Sequence, residues 1–198
     1  MSITADVTSA AQAATRGELI VLPTDTVYGI GTRPDLAEAT ERVFQAKSRS
    51  RDLDLPVLVR SVEEAGRIGE LGSRALRLAE RFWPGPLTVV VPRTDSSRGW
   101  ALGEHGETIG LRMPDDPLAL AVLERAGQLA VTSANRSGDP TPASCEDVRA
   151  LFGDTVAVYV CAEGALAGPP STVVDLTGKT ARILREGAIA RDAVLAAL

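Results

Sequence analysis

Short apolar runs alternate with amphipathic segments along most of the chain. The run at 18–24, ELIVLPT, is apolar and ends at a proline, which is typical of a buried strand. The run VAVYVCA, before the last two strands, has the same character. The same pattern predicts strands at 55–60, 87–93, 108–114, 128–134, 171–177 and 181–187.

Amphipathic segments predict helices between these strands. At 35–47 apolar residues recur at helical spacing, and Asp35 with Glu38 forms a capping-box pattern. Ser61 with Glu64 caps a helix that extends to about Leu71. Further helices are predicted at 73–83, before the PGP at 84–86, at 115–127, at 144–153 and at the C-terminus.

This order of elements predicts an α/β (α+β) fold. One large twisted mixed β-sheet, flanked by helices, accommodates strands that first alternate with helices and later follow one another. The 198 residues, 44% of them hydrophobic, suffice for one sizeable core. We therefore expect a single domain over 1–198, without an internal repeat or a linker.

Charge and hydropathy narrow the class of protein. The formal net charge of −5 is unlike that of a general nucleic-acid binder, although a local basic patch remains open. The N-terminus lacks the basic and apolar regions of a signal peptide. No apolar run approaches the roughly 20 residues of a membrane helix. We therefore expect a cytoplasmic protein.

Cysteine and histidine are scarce. Cys145 and Cys161 have neither CxxC spacing nor a histidine nearby, which predicts two reduced, small core residues. The one histidine, His105, lies in a polar, glycine-rich segment. A metal site built by the protein and a histidine-based triad are therefore not expected.

The segment LPTDTVYGIG at 22–31 is the first candidate for chemistry. A buried strand ends there in Thr24, Asp25 and Thr26, followed by Gly29 and Gly31. Polar groups at a strand end beside a helix N-terminus commonly hold a ligand. Turn chemistry explains the same residues, and the segment by itself favours that interpretation.

The basic run AKSRSRD supplies the second candidate. Lys47 and Arg49 at the end of a helix complement its dipole, a role that arginine alone would fill as well. A phosphate clamp is the alternative, with lysine as a compact point charge and arginine as a planar fork. The local sequence leaves the two interpretations evenly balanced.

Other polar residues follow or interrupt apolar strands. The loop VTSANRSGDPTPAS at 131–144 is long enough to suggest a working loop rather than a simple turn. Arg112, Ser171 and Arg185 each stand in an otherwise strand-like segment. A charged strand residue can simply face solvent, but together these groups could converge on one anionic ligand.

Taken together, the segments resemble the threonylcarbamoyl-AMP synthases of the Sua5/YrdC family. PTDTVYGIG is similar to the family's PT(D/E)TVYGLG, and KSR fits its K-x-R element. The motifs FWPGPLTVVVP, GLRMP, TSANRSGDPTP, PSTVVDL and ILREGAI follow in the family's order. The resemblance runs from about Gly17 to Ile189, and it implies a YrdC-like fold with a concave, cationic nucleotide groove.

The resemblance implies a nucleotidyltransferase reaction. ATP, L-threonine and bicarbonate would give threonylcarbamoyl-AMP and pyrophosphate, the first step of tRNA threonylcarbamoyladenosine formation. A carbamate oxygen would attack the α-phosphorus, which requires alignment and charge neutralisation more than a protein nucleophile. Mg²⁺ carried on ATP would share the charge. A downstream tRNA threonylcarbamoyltransferase complex would take the product.

The resemblance also implies roles for residues at matching motif positions. Lys47 and Arg49 would hold the ATP phosphates as the catalytic cations. Arg112 would pair with the carboxylate of threonine. The ATP side would further include Thr108, Ser133, Asn135, Thr141 and Arg185, and the threonine side Thr24, Thr26 and Ser171.

The chain departs from the family pattern at two places. Many members continue from K-x-R to a proline and a PLIVH strand, whereas this chain reads KSRSRDLDLPVLVR. The histidine expected beside threonine is therefore missing. The chain stops soon after ILREGAI and therefore resembles the short, single-domain form of the family, without the C-terminal extension that covers the site in longer members. We expect the N-terminal segment or the 136–143 loop to close the site instead.

Two other functions remain open from the sequence. A related carbamoyltransferase using carbamoyl phosphate would share the fold, but its usual fused regions are not recognisable here. An RNA-binding module would explain the basic run, but the net charge and the 4% aromatic content count against it. Weak RNA binding is compatible with the synthase.

Overall fold

Nine strands of the described chain form one sheet, in the order β7-β1-β2-β6-β3-β5-β4-β8-β9. The computed structural model describes residues 3–198; Met1 and Ser2, which begin the predicted domain and the N-terminal segment, lie outside it. The strands are β1 Ile20–Leu22, β2 Gly29–Thr32, β3 Val57–Leu58, β4 Leu87–Pro92, β5 Thr108–Arg112, β6 Leu129–Ser133, β7 Val158–Tyr159, β8 Thr172–Asp175 and β9 Arg182–Arg185.

The sheet is mixed, as the alternation of elements predicts. Strands β1 and β7, β3 and β5, and β4 and β8 are parallel, whereas the other neighbours are antiparallel. Helices flank the sheet, and the predicted α/β class with a large mixed sheet is confirmed. The helices are α1 Ile3–Thr15, α2 Ala37–Lys47, α3 Val62–Ile68, α4 Ser73–Phe82, α5 Pro117–Ala126, α6 Cys145–Phe152 and α7 Arg191–Ala196.

Apolar side chains pack on both faces of the sheet. In β1, Val21 belongs to one buried cluster, whereas Ile20 and Leu22 belong to another, because successive strand residues face opposite sides. The second cluster also contains the small residues of α1 and the apolar side of α5. The first contains side chains from α2, α3, α4, α6 and α7. Two-sided burial explains why the strands read as continuous apolar runs.

Helix starts agree with the sequence at some positions and differ at one. Ser61, Asp116 and Ser144 each accept a hydrogen bond from a backbone N–H of the following turn. The capping box predicted from Asp35 and Glu38 is wrong, because Leu36 is the N-cap and makes no side-chain capping bond. Asp35 instead pairs with Arg33, at 2.7 Å.

Strand β2 was read from sequence as a turn, and its glycines have a packing role. An added Cβ at Gly29 would lie 2.5 Å from Val131 Cγ1. At Gly31 it would lie 2.3 Å from the Ala130 carbonyl oxygen and 2.7 Å from Val131 Cγ2. Neither glycine has a left-handed φ. Glycine therefore permits β2 to lie against β6, rather than to turn the chain.

The two cysteines form a disulfide, so the predicted pair of reduced core thiols is wrong. Cys145 begins α6 and is partly exposed, whereas Cys161 follows β7 and is exposed. Their Cα atoms are 5.5 Å apart. Spacing along the chain could not show this pairing, because the sheet brings the two segments together. Among the described helices, none is long and apolar enough to cross a membrane.

Candidate functional site

Lys47 lies at the C-terminal end of α2 and reaches the end of β6. The helix stops there because Ser48 adopts a left-handed conformation, with φ 49°. Nζ of Lys47 donates to the carbonyl oxygens of Ser133 and Asn135, both at 2.5 Å, and to Asn135 Oδ1 at 3.2 Å. Burial, with a smaller contribution from the Arg49 cation, lowers the pKa of Lys47 to about 7.

Asn135 connects this lysine to the loop after β6. Its Oδ1 accepts hydrogen bonds from Lys47 and from the Ser133 hydroxyl, the latter at 2.5 Å. Its Nδ2 donates to the carbonyl oxygens of Arg136 and Asp139, at 2.9 and 2.6 Å. Lys47, Ser133 and Asn135, which the sequence predicts on the nucleotide side, therefore form one hydrogen-bonded group.

Arg49 is fixed by the segment that follows it. Its Nε donates to the carbonyl oxygen of Leu53 at 2.8 Å, and one Nη donates to that of Asp54 at 3.1 Å. Burial lowers the pKa of Arg49, and the Arg185 cation lowers it further. The carboxylates of Asp54 and Asp52 oppose this lowering of the Arg49 pKa, but more weakly.

Arg185, at the end of β9, is attached to the residue before β8. Its guanidinium donates to the Ser171 carbonyl at 3.0 and 2.8 Å and to Ser171 Oγ at 3.1 Å. The buried hydroxyls of Ser171 and Thr88 are hydrogen-bonded to each other at 2.9 Å. Desolvation lowers the pKa of Arg185, and the Arg112 cation adds to the effect. The sequence analysis did not predict Thr88 as a site residue. It is a polar residue in an apolar strand, and the same pattern identified Arg112 as a candidate.

Arg112 and the loop between β1 and β2 form a second group. One Nη of Arg112 donates to Thr26 Oγ1 at 3.1 Å, and Nε donates to the Gly85 carbonyl at 3.1 Å. Thr24 Oγ1 is hydrogen-bonded to Thr26 Oγ1 at 2.9 Å. Both threonines are buried. The structure thus brings together Thr24, Thr26 and Arg112, as the sequence predicts.

Asp25 belongs to this second group, and sequence reasoning did not assign it to the site. Its Oδ1 forms an ion pair with Arg112 at 2.5 Å, with only 13% of the Asp25 side chain and 8% of the Arg112 side chain exposed. Burial lowers the pKa of Arg112, and the Asp25 carboxylate opposes that effect. In the sequence, the position of Asp25 between Thr24 and Thr26, which are both assigned to the threonine side, could have indicated that it belongs to the site.

The four cations differ in how their charge is compensated. Within residues 3–198, Arg112 has a carboxylate within ion-pair distance, whereas Lys47, Arg49 and Arg185 have none. The hydrogen bonds of these three go to carbonyl, amide and hydroxyl oxygens. Carbonyl oxygens orient a cation without cancelling its charge, so an anion would stabilise all three.

Two predicted residues do not join these groups through hydrogen bonds in the described chain. Thr108 begins β5, where its carbonyl accepts from Arg93 Nε at 2.8 Å. Thr141 lies in the loop after β6 and is partly exposed. Their assignment to the nucleotide side stays a prediction.

The loop between β7 and β8 contacts the Thr26 backbone. The Gly168 amide donates to the Thr26 carbonyl at 3.2 Å, and the Leu166 amide donates to the Ala143 carbonyl at 2.7 Å. This loop was not among the predicted covers of the site. The predicted 136–143 loop is held by Asn135, whereas α1 packs against α5.

At the end of the PVLVR segment, where the family's PLIVH has its histidine, this chain has Arg60. Its Nε lies 3.8 Å from Glu64 Oε1, and its backbone amide donates to Glu64 Oε2 at 2.9 Å. No hydrogen bond joins Arg60 to the Thr26 and Arg112 group in the described structure. Arg60 therefore contacts Glu64 in the first turn of α3.

Two surface hollows lie elsewhere. One, of about 430 Å³, is lined mainly by α1 together with Arg125. The other, of about 280 Å³, lies between α2 and the 154–157 segment. Neither includes a residue of the two groups described above, so we assign the site from its side-chain chemistry rather than from concavity.

Fold and site together define a class of protein: a mixed-sheet α/β protein whose strand ends and loops gather basic side chains suited to an anionic ligand. The family model Sua5_yciO_yrdC, described as telomere recombination, matches residues 12–187. The chain therefore belongs to the Sua5/YciO/YrdC family, which confirms the resemblance found in its motifs.

Relatives and a solved structure agree with this membership. A Mycobacterium tuberculosis protein, provisionally named a threonylcarbamoyl-AMP synthase, is 41% identical over 189 residues, covering 95% of this chain and 87% of its own. The threonylcarbamoyl-AMP synthase of Chromohalobacter salexigens is 37% identical, with 92% and 100% covered. Sua5 of Pyrococcus abyssi, crystallised with L-threonine, is 31% identical with a TM-score of 0.89; the match covers 98% of this chain but only 58% of that one.

Proposed function

We propose that this protein is a threonylcarbamoyl-AMP synthase, which converts ATP, L-threonine and bicarbonate to threonylcarbamoyl-AMP and pyrophosphate. The observation that carries the proposal is a set of three cations, Lys47, Arg49 and Arg185, none of which has a described carboxylate within ion-pair distance. A triphosphate supplies the negative charge that these side chains lack. The names of the full-length relatives support the same reaction.

The three cations would bind the triphosphate in different ways. Lys47 provides a point charge, and its depressed pKa makes its charged state depend on a bound anion. Arg49 and Arg185 provide planar forks whose orientation is set by backbone carbonyls. Charge neutralisation at the phosphates favours attack on the α-phosphorus and departure of pyrophosphate. A concave, cationic groove for the nucleotide follows from this proposal.

The second group is the threonine side of the proposed site. Arg112 would bind the carboxylate, and the hydroxyls of Thr24, Thr26 and Ser171 would line the space around the amino acid. After losing a proton to solvent, the amine of threonine would attack the carbon of bicarbonate, and loss of water would leave the carbamate. Because the attacking oxygen then belongs to the substrate, these residues need to position it rather than to act as nucleophiles.

In this proposal, Mg²⁺ would enter the site as an ion carried by ATP. Residues 3–198 contain no cluster of three or more His, Cys, Asp or Glu side chains that could hold a metal. The uncompensated cations would take the triphosphate oxygens that the ion does not share. When bound, Mg²⁺ supplies charge neutralisation on the phosphates. We infer that the product passes to a tRNA threonylcarbamoyltransferase complex.

The test is product formation by the purified chain. With ATP, Mg²⁺, L-threonine and bicarbonate, we expect pyrophosphate release and threonylcarbamoyl-AMP detected by mass spectrometry. Omission of any one of the three substrates should abolish the product. Absence of both products with all substrates present would refute the proposal. AMP formation from carbamoyl phosphate without threonine, or tight salt-sensitive RNA binding without turnover, would instead support the alternatives.

Two arginines of β9 provide a matched pair of variants. Arg185 has no carboxylate partner in the described chain, whereas Arg182 forms an ion pair with Asp175 at 2.6 Å. Arg185→Met should raise the KM for ATP about tenfold or more, since a charge-assisted contact is lost. Arg182→Met should leave that KM nearly unchanged. Equal effects of the two substitutions would argue against the assigned role of Arg185.

A further inference from the structure

The carboxylate of Asp25 has one engaged oxygen and one that is available. Oδ1 accepts from an Arg112 Nη at 2.5 Å and from the Asp115 backbone amide at 3.0 Å. Oδ2 has no hydrogen-bond partner among residues 3–198. The Asp25 side chain is nevertheless only 13% exposed. The residue as a whole is exposed, so a ligand can reach this carboxylate, and Oδ2 has acceptor capacity left for a donor group of the ligand.

Arg112 shows the complementary feature. A guanidinium carries five N–H donors, and the structure describes partners for three of them, on Thr26, Asp25 and the Gly85 carbonyl. Two N–H groups therefore remain in a side chain that is only 8% exposed. Spare donors and a spare acceptor stand side by side in one ion pair.

We propose that Asp25 is a substrate-binding residue that recognises the α-ammonium group of the amino acid, while Arg112 takes its α-carboxylate. This inference rests on the proposed function, since it concerns the threonine side of the same site. An α-amino acid carries its ammonium and carboxylate on one carbon. An arginine and an aspartate in contact present opposite charges next to each other, as the two ends of an amino acid require.

Charge compensation also explains how two ligands are kept apart. A polyanion gains most from cations that are not paired with a carboxylate, and none of Lys47, Arg49 and Arg185 has a described carboxylate within ion-pair distance. At the neutral pair of Asp25 and Arg112, phosphate would meet repulsion as well as attraction. A zwitterion meets attraction at both of its ends. Asp25 thus makes this position selective for amino acids over simple anions.

The test compares L-threonine with 2,3-dihydroxybutanoate, in which a hydroxyl replaces the amine. Binding is measured by calorimetry with Mg²⁺ and a non-hydrolysable ATP analogue, without bicarbonate, so that no reaction occurs. We expect the unaltered protein to bind threonine about ten- to a hundredfold more tightly than the analogue. Asp25→Asn should lower threonine affinity by a similar factor and leave the analogue unaffected or more tightly bound.

Two further variants sharpen the comparison. Asp115→Asn removes a neighbouring exposed carboxylate that makes no described contact with Arg112, and it should keep the preference for threonine. Asp25→Glu keeps the charge and should restore part of the preference that Asp25→Asn loses. Loss of the preference in Asp115→Asn as large as in Asp25→Asn would overturn the proposal, because a general field effect would then suffice.

The proposal and the proposed function fail in different ways. If Asp25→Asn keeps the full preference for threonine, Asp25 does not recognise the ammonium, although the synthase assignment stands. If the unaltered protein binds threonine and 2,3-dihydroxybutanoate equally well, this result alone refutes the proposal, and no variant is needed. If the protein neither binds threonine nor forms threonylcarbamoyl-AMP, both fail together.

Discussion

Lys47 and Asn135 are joined by two hydrogen bonds although they lie 88 positions apart in the sequence. The Asn135 backbone and side-chain oxygens both accept from Nζ, so the lysine connects the end of α2 to the loop after β6. All of the described acceptors are neutral oxygens. The contact therefore orients the ammonium group without compensating its charge.

Proton uptake on ATP binding follows from the depressed pKa of Lys47. With a pKa of about 7, the side chain is largely neutral at pH 8.5 in the free protein. Phosphate oxygens favour the ammonium form, so binding should take up close to one proton. Calorimetry in two buffers of different ionisation enthalpy measures that number. Lys47→Met should take up none, and equal uptake by the two proteins would contradict the assignment.

The same shift predicts how folding stability depends on pH. The folded-state pKa of Lys47 is lowered from 10.5 to about 7, so between these values the unfolded chain binds more protons than the folded one. The contribution of Lys47 to the free energy of unfolding therefore increases as pH rises from about 7 and levels off near 10.5. The limiting slope is about 1.4 kcal/mol per pH unit.

Urea unfolding of the parent protein and of Lys47→Met isolates this contribution. Other titrating groups are common to both proteins and cancel in the difference. We expect the parent to gain stability relative to the variant as the pH is raised from 7 to 9. A difference that stays constant over this range would show that Lys47 titrates normally.

Much of the fold could be predicted, because strands that are buried on both faces of the sheet appear in the sequence as continuous apolar runs. Strands β4, β5 and β6 begin and end within two residues of their predicted bounds. Strand β2 was missed, since its glycines read as turn residues, while the structure uses them for close approach to Val131. The disulfide was missed because only the sheet brings Cys145 and Cys161 together.

The candidate site followed from the sequence mainly through motif resemblance. Lys47 and Arg185 lie in segments whose local patterns also fit ordinary surface charges, and only the structure shows that no described carboxylate compensates them. Asp25 could not be assigned to the site from the sequence, because an aspartate that follows a strand is also common in turns. Its contact with Arg112, 87 positions away, depends on the tertiary fold.

The ion pair of Asp25 and Arg112 should be energetically coupled. Arg112→Met leaves the Asp25 carboxylate without its cation, which we expect to lower the free energy of unfolding by about 1–3 kcal/mol, because Asp25 as a residue is exposed to solvent. Asp25→Asn should be destabilising as well, whereas the double variant removes both charges. Its destabilisation should therefore fall short of the sum by about 0.5–3 kcal/mol in urea unfolding. Strict additivity would show that the pair does not interact in solution.

Reduction of the disulfide should destabilise the protein. Cys145 and Cys161 are 16 positions apart, and a closed loop of this length contributes about 3 kcal/mol through the unfolded state. We expect a reducing agent to lower the Tm of the parent protein and to leave that of Cys145→Ser/Cys161→Ser unchanged. Thiol titration of the unfolded, unreduced chain provides the check: two reactive thiols would contradict the disulfide.

Gly31→Ala should disrupt the contact between β2 and β6. The new Cβ would lie 2.3 Å from the Ala130 carbonyl oxygen and 2.9 Å from Val131 Cα, and these backbone atoms cannot move without shifting the strand. We expect a loss of about 3 kcal/mol or more, at or above the usual range for overpacking. Gly106→Ala is the matched control, because its Cβ would meet no atom within 4 Å, and its effect should stay within about 0.5 kcal/mol. Equal unfolding free energies for the two variants, measured in urea, would mean that β2 does not pack against β6 as closely as the structure shows.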